Sequence, residues 1–233
     1  MKITITIPAY NEEKYIGKTL DSVKKLKKGD WTEEVLVIDG GSSDKTREIA
    51  KQNGVRVIHE PHKSIGFARQ HGLKHAKGDI IAFTDADTIL PPDWLLKHVA
   101  ILEKSGVVLS LGTFKVFDGN FPYLQYINYL QAPLQWISFE LLGIPVASGQ
   151  NMAFWREKAM EIGGFDINLR LIEDVDFAIR MKKVGKVVFS YNMPVFSSGR
   201  RSNEGWRFFA RGGGAFVKYF LGERTLPKFP DYR

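Results

Sequence analysis

Strand-like and helix-like segments alternate through the first half of the chain, which leaves few folds open. Short apolar runs occur at Ile3–Ile7, Val35–Ile38, Val55–His59 and Ile80–Thr84, and segments with helical spacing of apolar residues lie between them. A regular β-α-β-α order is typical of parallel strands joined by right-handed crossovers. The sequence therefore predicts an α/β fold with a mostly parallel sheet flanked by helices.

The helices between these runs are predicted from apolar spacing and from start and stop residues. They are Tyr15–Lys28, a helix capped by Ser42 or Ser43 that runs to Gln52, Phe67–Ala76 and Asp93–Lys104. A further acidic helix is expected to begin near Glu173. No repeat, low-complexity stretch or linker divides the chain, so the second half is interpreted as an elaboration on the same sheet.

Composition excludes several classes of chemistry. The 233 residues include no cysteine, which rules out disulfides, thiolate nucleophiles and cysteine-ligated metals. No uncharged apolar run reaches the ~18 residues that span a bilayer, and no secretory signal pattern precedes the first strand. The expectation is a cytoplasmic protein, either free or peripheral at the inner face of the membrane.

The net charge of +7 is concentrated at the end of the chain. From residue 200 onward there are eight cations and three acids, so 8 − 3 = +5 lies in this tail. Such a tail favours phosphates on a substrate, a nucleic acid or an anionic membrane, and a solvated basic face is an equal alternative.

The triplet Asp85-Ala86-Asp87 follows the fourth predicted strand. Residues i and i+2 of an extended chain project to the same side, so the two carboxylates can converge. In open parallel sheets, ligands bind beyond the carboxyl ends of the strands. Two hard oxygen ligands there suit Mg²⁺ or Mn²⁺ carrying a diphosphate. The equal alternative is that the two acids lie in a loop and cap the next helix.

Two other strand ends carry polar residues. Asp39 ends the second strand, where a carboxylate can accept hydrogen bonds from a base or a ribose. After the first strand, Pro8 opens a segment in which Tyr10 can stack on a base and Glu12 suits a helix N-terminus. Three strand ends thus supply polar groups to one crevice.

Several motifs together resemble the family 2 glycosyltransferases, which have the GT-A fold. The motifs of the first half are Ile7-Pro8-Ala9-Tyr10-Asn11-Glu12-Glu13, Val37-Ile38-Asp39-Gly40-Gly41-Ser42-Ser43-Asp44 and Phe83-Thr84-Asp85-Ala86-Asp87. Those of the second half are Gly149-Gln150-Asn151-Met152, Gly163-Gly164-Phe165-Asp166 and Glu173-Asp174-Val175-Asp176. The resemblance covers about residues 2–190. The chain is interpreted as one domain over residues 1–233, with a nucleotide-sugar-binding half (1–112), an acceptor and catalytic half (113–199) and a basic aromatic tail (200–233).

The resemblance also implies roles for individual residues. Asp39 is expected at the base or ribose, Asp85 at the ribose or the metal's ligand shell, and Asp87 at the metal. Asp174 is the expected general base that deprotonates the acceptor hydroxyl, with Glu173 beside it. The implied reaction is inverting transfer from a UDP- or GDP-linked sugar, dependent on Mn²⁺ or Mg²⁺.

Further residues are assigned to the two sides of the site. Arg69 is expected either near the donor phosphates or at the surface, and Gly149 and Asn151 are expected on the acceptor side. Many family members carry a metal-supporting histidine after the last core strand, where this chain has Arg200 and Arg201. Arginine does not bind a cation, so these two residues are expected to neutralise the departing diphosphate.

The tail mixes cations with aromatic residues over 206–221. It can rest on an anionic membrane and present a polyprenyl-linked acceptor, or it can pack on the domain. Packing is favoured slightly, because Gly212-Gly213-Gly214 is expected to interrupt a long helix.

Three other functions remain as alternatives. An inert nucleotide-sugar-binding or membrane-docking subunit would have the same fold. The missing histidine slightly favours this inert subunit. A sugar nucleotidyltransferase is less favoured, because the loop after the first strand is acidic where a basic, glycine-rich one is needed. No nucleic-acid recognition motif is present, so no nucleic acid partner is expected.

Overall fold

A computed structural model describes residues 1–169 and 171–223. The last ten residues of the predicted basic tail lie outside this range. The strands are β1 Lys2–Ala9, β2 Thr32–Asp39, β3 Arg56–His59, β4 Ile80–Phe83, β5 Thr88–Ile89, β6 Val107–Val116, β7 Met152–Trp155 and β8 Lys186–Ser197. The helices are α1 Ile16–Lys24, α2 Thr46–Gln52, α3 Ile65–His75, α4 Trp94–Leu102, α5 Tyr123–Gln125, α6 Ala132–Leu142, α7 Arg156–Glu161, α8 Glu173–Met181 and α9 Trp206–Phe220.

Two segments of other helical type complete the description. A π-helix, Tyr126–Gln131, joins α5 to α6. A 3₁₀ turn, Arg200–Glu204, joins β8 to α9.

All eight strands form one sheet in the order β3-β2-β1-β4-β7-β6-β8-β5. The four predicted strands pair in parallel, as expected from the alternating order. The second half adds β7 antiparallel to both β4 and β6, and β8 parallel to β6 and antiparallel to β5. The predicted α/β fold with helices around a mostly parallel sheet is confirmed.

The side chains of alternate residues in the central strands belong to two hydrophobic cores, one on each face of the sheet. Ile80 and Ala82 of β4 pack with β1, α1 and α4, whereas Ile81 and Phe83 pack with aromatic residues of β7 and α8. Side chains of adjacent strand residues point to opposite faces, so a strand covered by helices on both sides is apolar throughout. This explains the continuous apolar run that marked β4 in the sequence.

Two local predictions were wrong. Ser42 and Ser43 do not cap α2, because the amide of Thr46 donates to Asp44 while the Ser42 hydroxyl accepts the amide of Asn11. In the tail, α9 continues through Gly212-Gly213-Gly214 without a break. Packing of Ala215 and Tyr219 against Leu169 and Leu171 holds this helix, and tertiary contacts commonly outweigh low propensity.

Candidate active site

The register of the sheet assembles the polar strand ends at one edge. Ala9 pairs with Asp39, and Asp39 with His59, so the first three strands end side by side. Because β7 runs antiparallel to β4, its first residue, Met152, lies opposite Phe83. The loop that precedes β7 therefore reaches the edge where Asp85-Ala86-Asp87 begins.

The end of β8 reaches the same edge from the other direction. Ser197 pairs with Thr88 of the antiparallel β5, and the amide of Ser198 donates to the carbonyl of Asp87 at 3.2 Å. The 3₁₀ turn that follows starts with Arg200, so this pairing brings a cation to Asp87.

Arg200 joins two of the predicted donor-side carboxylates. Its Nη1 and Nη2 donate to the two carboxylate oxygens of Glu12, both at 2.7 Å, and Nη2 lies 3.1 Å from Asp87 Oδ2. Burial raises the pKa of Asp87 to about 6. The positive charges of Arg200 and Arg201 oppose this rise, and the negative charges of Glu12 and Asp85 add to it. Glu12 and Asp87 thus share the positive charge of the Arg200 guanidinium.

Arg69 is buried and lies beside Asp85. It donates to Glu173 through Nη1 and to Asp85 through Nη2, the latter at 3.4 Å, and its Nη1 lies 3.8 Å from Asp174 Oδ2. Burial raises the pKa of Glu173, although Arg69 opposes this effect. One guanidinium therefore connects the end of β4 to the N-terminus of α8.

A glycine in the loop before β7 also contacts the carboxylates around Arg69. The amide of Gly149 donates to Asp174 Oδ2 at 2.8 Å, and the other oxygen of Asp174 accepts the amide of Val175 at 2.9 Å. A Cβ at Gly149 would overlap the Arg69 guanidinium, so glycine permits this approach. The Asp174 side chain is 19% exposed and that of Glu173 only 6%, so Asp174 is the member that can meet a ligand.

Asp39 is fully buried and holds its own turn. Its carboxylate accepts the amides of Gly41 and Ser42 at 3.2 Å, and Arg47 Nε lies 3.6 Å away. The half-buried ring of Tyr10 lies near the same turn, with Lys63 Nζ 5.1 Å from its centroid. The pair that was predicted to contact the nucleoside thus lies at one corner of the crevice.

Three predicted site residues take positions that the sequence did not indicate. Pro8 is buried within β1, and Arg69 is neither at the surface nor free to approach phosphates, because its contacts are carboxylates. Asn151, which is expected to shape the acceptor side, is fully buried. Its side-chain oxygen accepts a hydrogen bond from Trp94 Nε1 at 2.8 Å and lies 3.0 Å from His98 Nε2. Its side-chain NH₂ group donates to the carbonyls of Thr113 and Met193 at 2.6 and 2.7 Å.

Sequence reasoning also missed residues that support Arg200. Asp118 accepts the amide of Gly199 and the hydroxyl of Ser198, and the Tyr15 ring lies 5.5 Å from the Arg200 guanidinium. Asp118 carried no signal beyond that of a turn residue beside Gly119, because its partners lie about eighty positions away in the sequence.

The donor set fits a divalent cation that is shared with a substrate. Within residues 1–169 and 171–223, no group of three or more histidine or acidic side chains forms a metal site of its own. Mg²⁺ and similar ions are commonly held by one or two carboxylates plus substrate phosphates. Asp85 and Asp87 supply two such carboxylates at the crevice, with Arg69 beside Asp85 and Arg200 beside Asp87.

The strand ends of this α/β sheet gather acids and arginines at one crevice, and comparison with known proteins identifies the family. The chain belongs to glycosyl transferase family 2, whose family model matches residues 4–163. The names of its relatives place it among the glycosyltransferases, as the motifs predicted.

Two relatives illustrate the range of similarity. An uncharacterized protein of Methanocaldococcus jannaschii is 34% identical over 194 residues, which cover 79% of this chain and 77% of that protein. The Escherichia coli UDP-Glc:alpha-D-GlcNAc-diphosphoundecaprenol beta-1,3-glucosyltransferase WfgD is 31% identical over 122 residues, covering 51% of this chain and 47% of WfgD. The chain spans 38%, 77% and 57% of the lengths of three curated relatives.

A solved structure shows the same fold. The mannosyltransferase PcManGT from Pyrobaculum calidifontis, in complex with GDP-Man and Mn²⁺, superposes with a TM-score of 0.75 at 20% identity. The match covers 97% of this chain and 65% of PcManGT. The GT-A fold predicted from the motifs is thereby confirmed.

Proposed function

We propose that this chain transfers a sugar from a nucleoside-diphosphate sugar to an acceptor hydroxyl or lipid phosphate, with inversion and with a divalent metal. The observation that carries the proposal is the Arg69 group: one buried guanidinium connects Asp85 on the donor side to Glu173 and Asp174 at the start of α8. Donor-side and base-side carboxylates, far apart in sequence, thus meet at one crevice.

The donor half of the proposal uses the corner at Asp39 and the acids after β4. Tyr10 offers a half-buried ring for the base, and Asp39 shapes the turn beside it. Asp85 and Asp87 would hold Mn²⁺ or Mg²⁺, which when bound supplies positive charge to the diphosphate leaving group. Arg200 and Arg201 supply further positive charge there.

The acceptor half uses Asp174. With an acceptor hydroxyl, the oxygen forms a bond to the anomeric carbon as the bond from that carbon to the diphosphate oxygen breaks. The hydroxyl proton passes to Asp174, and the nucleoside diphosphate leaves with the electron pair. Glu173, buried against Arg69, is a positioning residue in this scheme and not the base. A single displacement of this kind inverts the anomeric centre.

The donor and acceptor are proposed as classes. WfgD is named for a UDP-linked donor and a diphosphoundecaprenol-linked acceptor, and PcManGT was solved with GDP-Man. We extend to this chain a UDP- or GDP-linked donor and a sugar or polyprenyl-linked acceptor. All of residues 1–233 are assigned to one domain, with the donor half at 1–112 and the acceptor half at 113–199.

Calorimetric binding of UDP and GDP, with Mn²⁺ and then with EDTA, tests the donor site. Wild type should bind one diphosphate more tightly with Mn²⁺, and Asp87→Ala should lose that increment because a proposed metal ligand is gone. Asp21→Ala, which removes an exposed acid of α1, is the matched control and should bind like wild type. Absence of binding under every condition would refute the transferase and leave the membrane-docking subunit as the remaining alternative.

A further inference from the structure

Helix α9 has two apolar faces, and only one of them is buried. Ala215 packs with Leu169 and Leu171, and the half-buried Tyr219 packs beside them. On the opposite side of the helix, spacings of four and three residues align a second, exposed set: Trp206, Ala210, Gly213, Val217 and Phe220. We name this second set the outer face of α9.

The inner contacts fix α9 beside the proposed active site. The Tyr219 hydroxyl donates to Asp176 Oδ1 at 2.7 Å, which ties α9 to the first turn of α8. Near the start of α9, the Phe208 ring packs edge-on against Tyr123 with centroids 5.0 Å apart. The outer face is therefore presented by an anchored helix that follows directly on the turn carrying Arg200.

A second exposed apolar stripe lies on α6. Leu134, Ile137 and Leu141 recur at spacings of three and four residues and are exposed, and Leu141 is 77% exposed. We name these three residues the outer face of α6. The π-helix that leads into α6 contacts α9, with the Tyr126 and Phe209 rings 4.9 Å apart, so both stripes belong to neighbouring helices.

The charges around these stripes identify the surface that would cover them. Within α9 there are three cations, Arg207, Arg211 and Lys218, and no acid. Arg211 pairs with Glu204 and Lys218 with Glu223 at 3.0 Å, whereas α6 carries one exposed acid, Glu140. Lys182 donates to the carbonyl of Gly143 at the end of α6. Two copies that met through these faces would bring like charges together, whereas an anionic bilayer attracts them. Exposed Trp206 and Trp136 are of the type that lies at the level of lipid headgroups.

We propose that the outer faces of α9 and α6 dock on an anionic lipid bilayer, with the apolar side chains inserted at the headgroup boundary and the exposed Arg207 and Lys218 facing lipid phosphates. Within the described residues no helix is long and apolar enough to cross a bilayer, so this docking is interfacial. The inference rests on the proposed function in one respect: it makes the acceptor a lipid-linked one, delivered beside Asp174.

Vesicle flotation tests the docking. Full-length protein is floated with vesicles of pure phosphatidylglycerol and of pure phosphatidylcholine. Wild type should float with the anionic vesicles and about tenfold less with the neutral ones, since each nearby cation strengthens binding. Trp206→Ser combined with Val217→Ser should weaken anionic binding about tenfold or more, because buried apolar area is lost. Ile137→Ser combined with Leu141→Ser makes the corresponding change on α6.

Matched controls separate docking from folding and from catalysis. Met160→Ser removes an exposed apolar residue of α7 and should leave flotation unchanged. Every variant should bind nucleoside diphosphate like wild type, which keeps this test independent of the donor site. Equal flotation of wild type and both outer-face variants would overturn the proposal, and so would sedimentation showing that these changes abolish a dimer without affecting flotation.

Discussion

The loop before β7 contributes to two buried polar networks of opposite character. Gly149 faces the charged network of Arg69 with Asp85, Glu173 and Asp174. Two residues later, Asn151 fills a neutral network with Trp94, His98 and two backbone carbonyls. The charged network lies at the open edge of the sheet, and the neutral one is enclosed.

The difference shows where this fold keeps charge in its interior. A buried charge is costly unless it is paired, so its retention at the crevice is consistent with a role toward a ligand. The neutral amide of Asn151 uses both its donors and its acceptor within the protein, which is sufficient to hold strands together. Loss of a partner should therefore affect turnover and charge balance in the first network, and packing and protonation in the second.

The largest effect is expected at Asp174, the partly exposed acid of the charged network that is proposed as the base. Asp174→Asn keeps an oxygen for the Gly149 amide but removes the base, so turnover should fall by about 10²–10⁴-fold. Release of nucleoside diphosphate measures turnover, and calorimetry should give unchanged donor affinity. The exposed Asp21→Asn is the control, and comparable turnover in both variants would remove Asp174 from the mechanism.

Arg69→Met should give the largest loss of stability, because three carboxylates would lose their shared cation. Breaking a buried ion pair from one side costs about 3–5 kcal/mol of unfolding free energy, measured here by urea denaturation. Adding Glu173→Gln should restore part of it by removing a buried charge. Arg56→Met, at an exposed position on β3, should have little effect; an equal loss there would contradict the prediction.

The neutral network should respond to acid through His98. Burial lowers the pKa of His98 from 6.5 to about 4, and its bond to Asn151 opposes the shift only weakly. At this site the unfolded chain therefore binds more protons between these pH values, so the stability that His98 contributes is complete above about pH 6.5 and is lost as the pH drops toward 4. The raised pKa values of Asp87 and Glu173 act in the opposite direction. The His98 contribution to that loss is about 3 kcal/mol.

Urea midpoints at pH 7 and pH 4.5 measure this dependence. His98→Gln should lower the midpoint at pH 7, since the imidazole packing is lost, and should lower it less at pH 4.5, where the stability that His98 contributes is already largely lost. An unchanged pH difference in the variant would assign the acid sensitivity to other groups.

The smallest effects are expected from two glycines. Gly149→Ala places a methyl group against the Arg69 guanidinium and should destabilise the protein by about 1–3 kcal/mol. Gly212→Ala, in α9 with open space around it, should stabilise by about 0.5–1 kcal/mol through helix propensity. Thermal unfolding of both variants should shift in opposite directions, and a shift of Gly149→Ala upward would refute the close approach to Arg69.

The sheet was predictable because its signals are local. The β4 segment is apolar at every position and is followed within two residues by Asp85, so strand and strand end are both evident from nearby residues. The course of α9 was not predictable in the same way. Its three glycines lower local propensity, and the compensating contacts of Ala215 and Tyr219 come from residues over forty positions away.

The sequence by itself determined the order of strands and helices in the first half, the family and the placement of acids at the ends of β1, β2 and β4, because periodicity and strand ends are properties of neighbouring residues. Only the tertiary structure decided which acid meets which arginine. Arg69 and Glu173 are 104 positions apart, and Arg200 and Glu12 are 188 apart. Such pairs form because antiparallel β7 and the end of β8 return the chain to the edge where β4 ends, and no local pattern encodes that return.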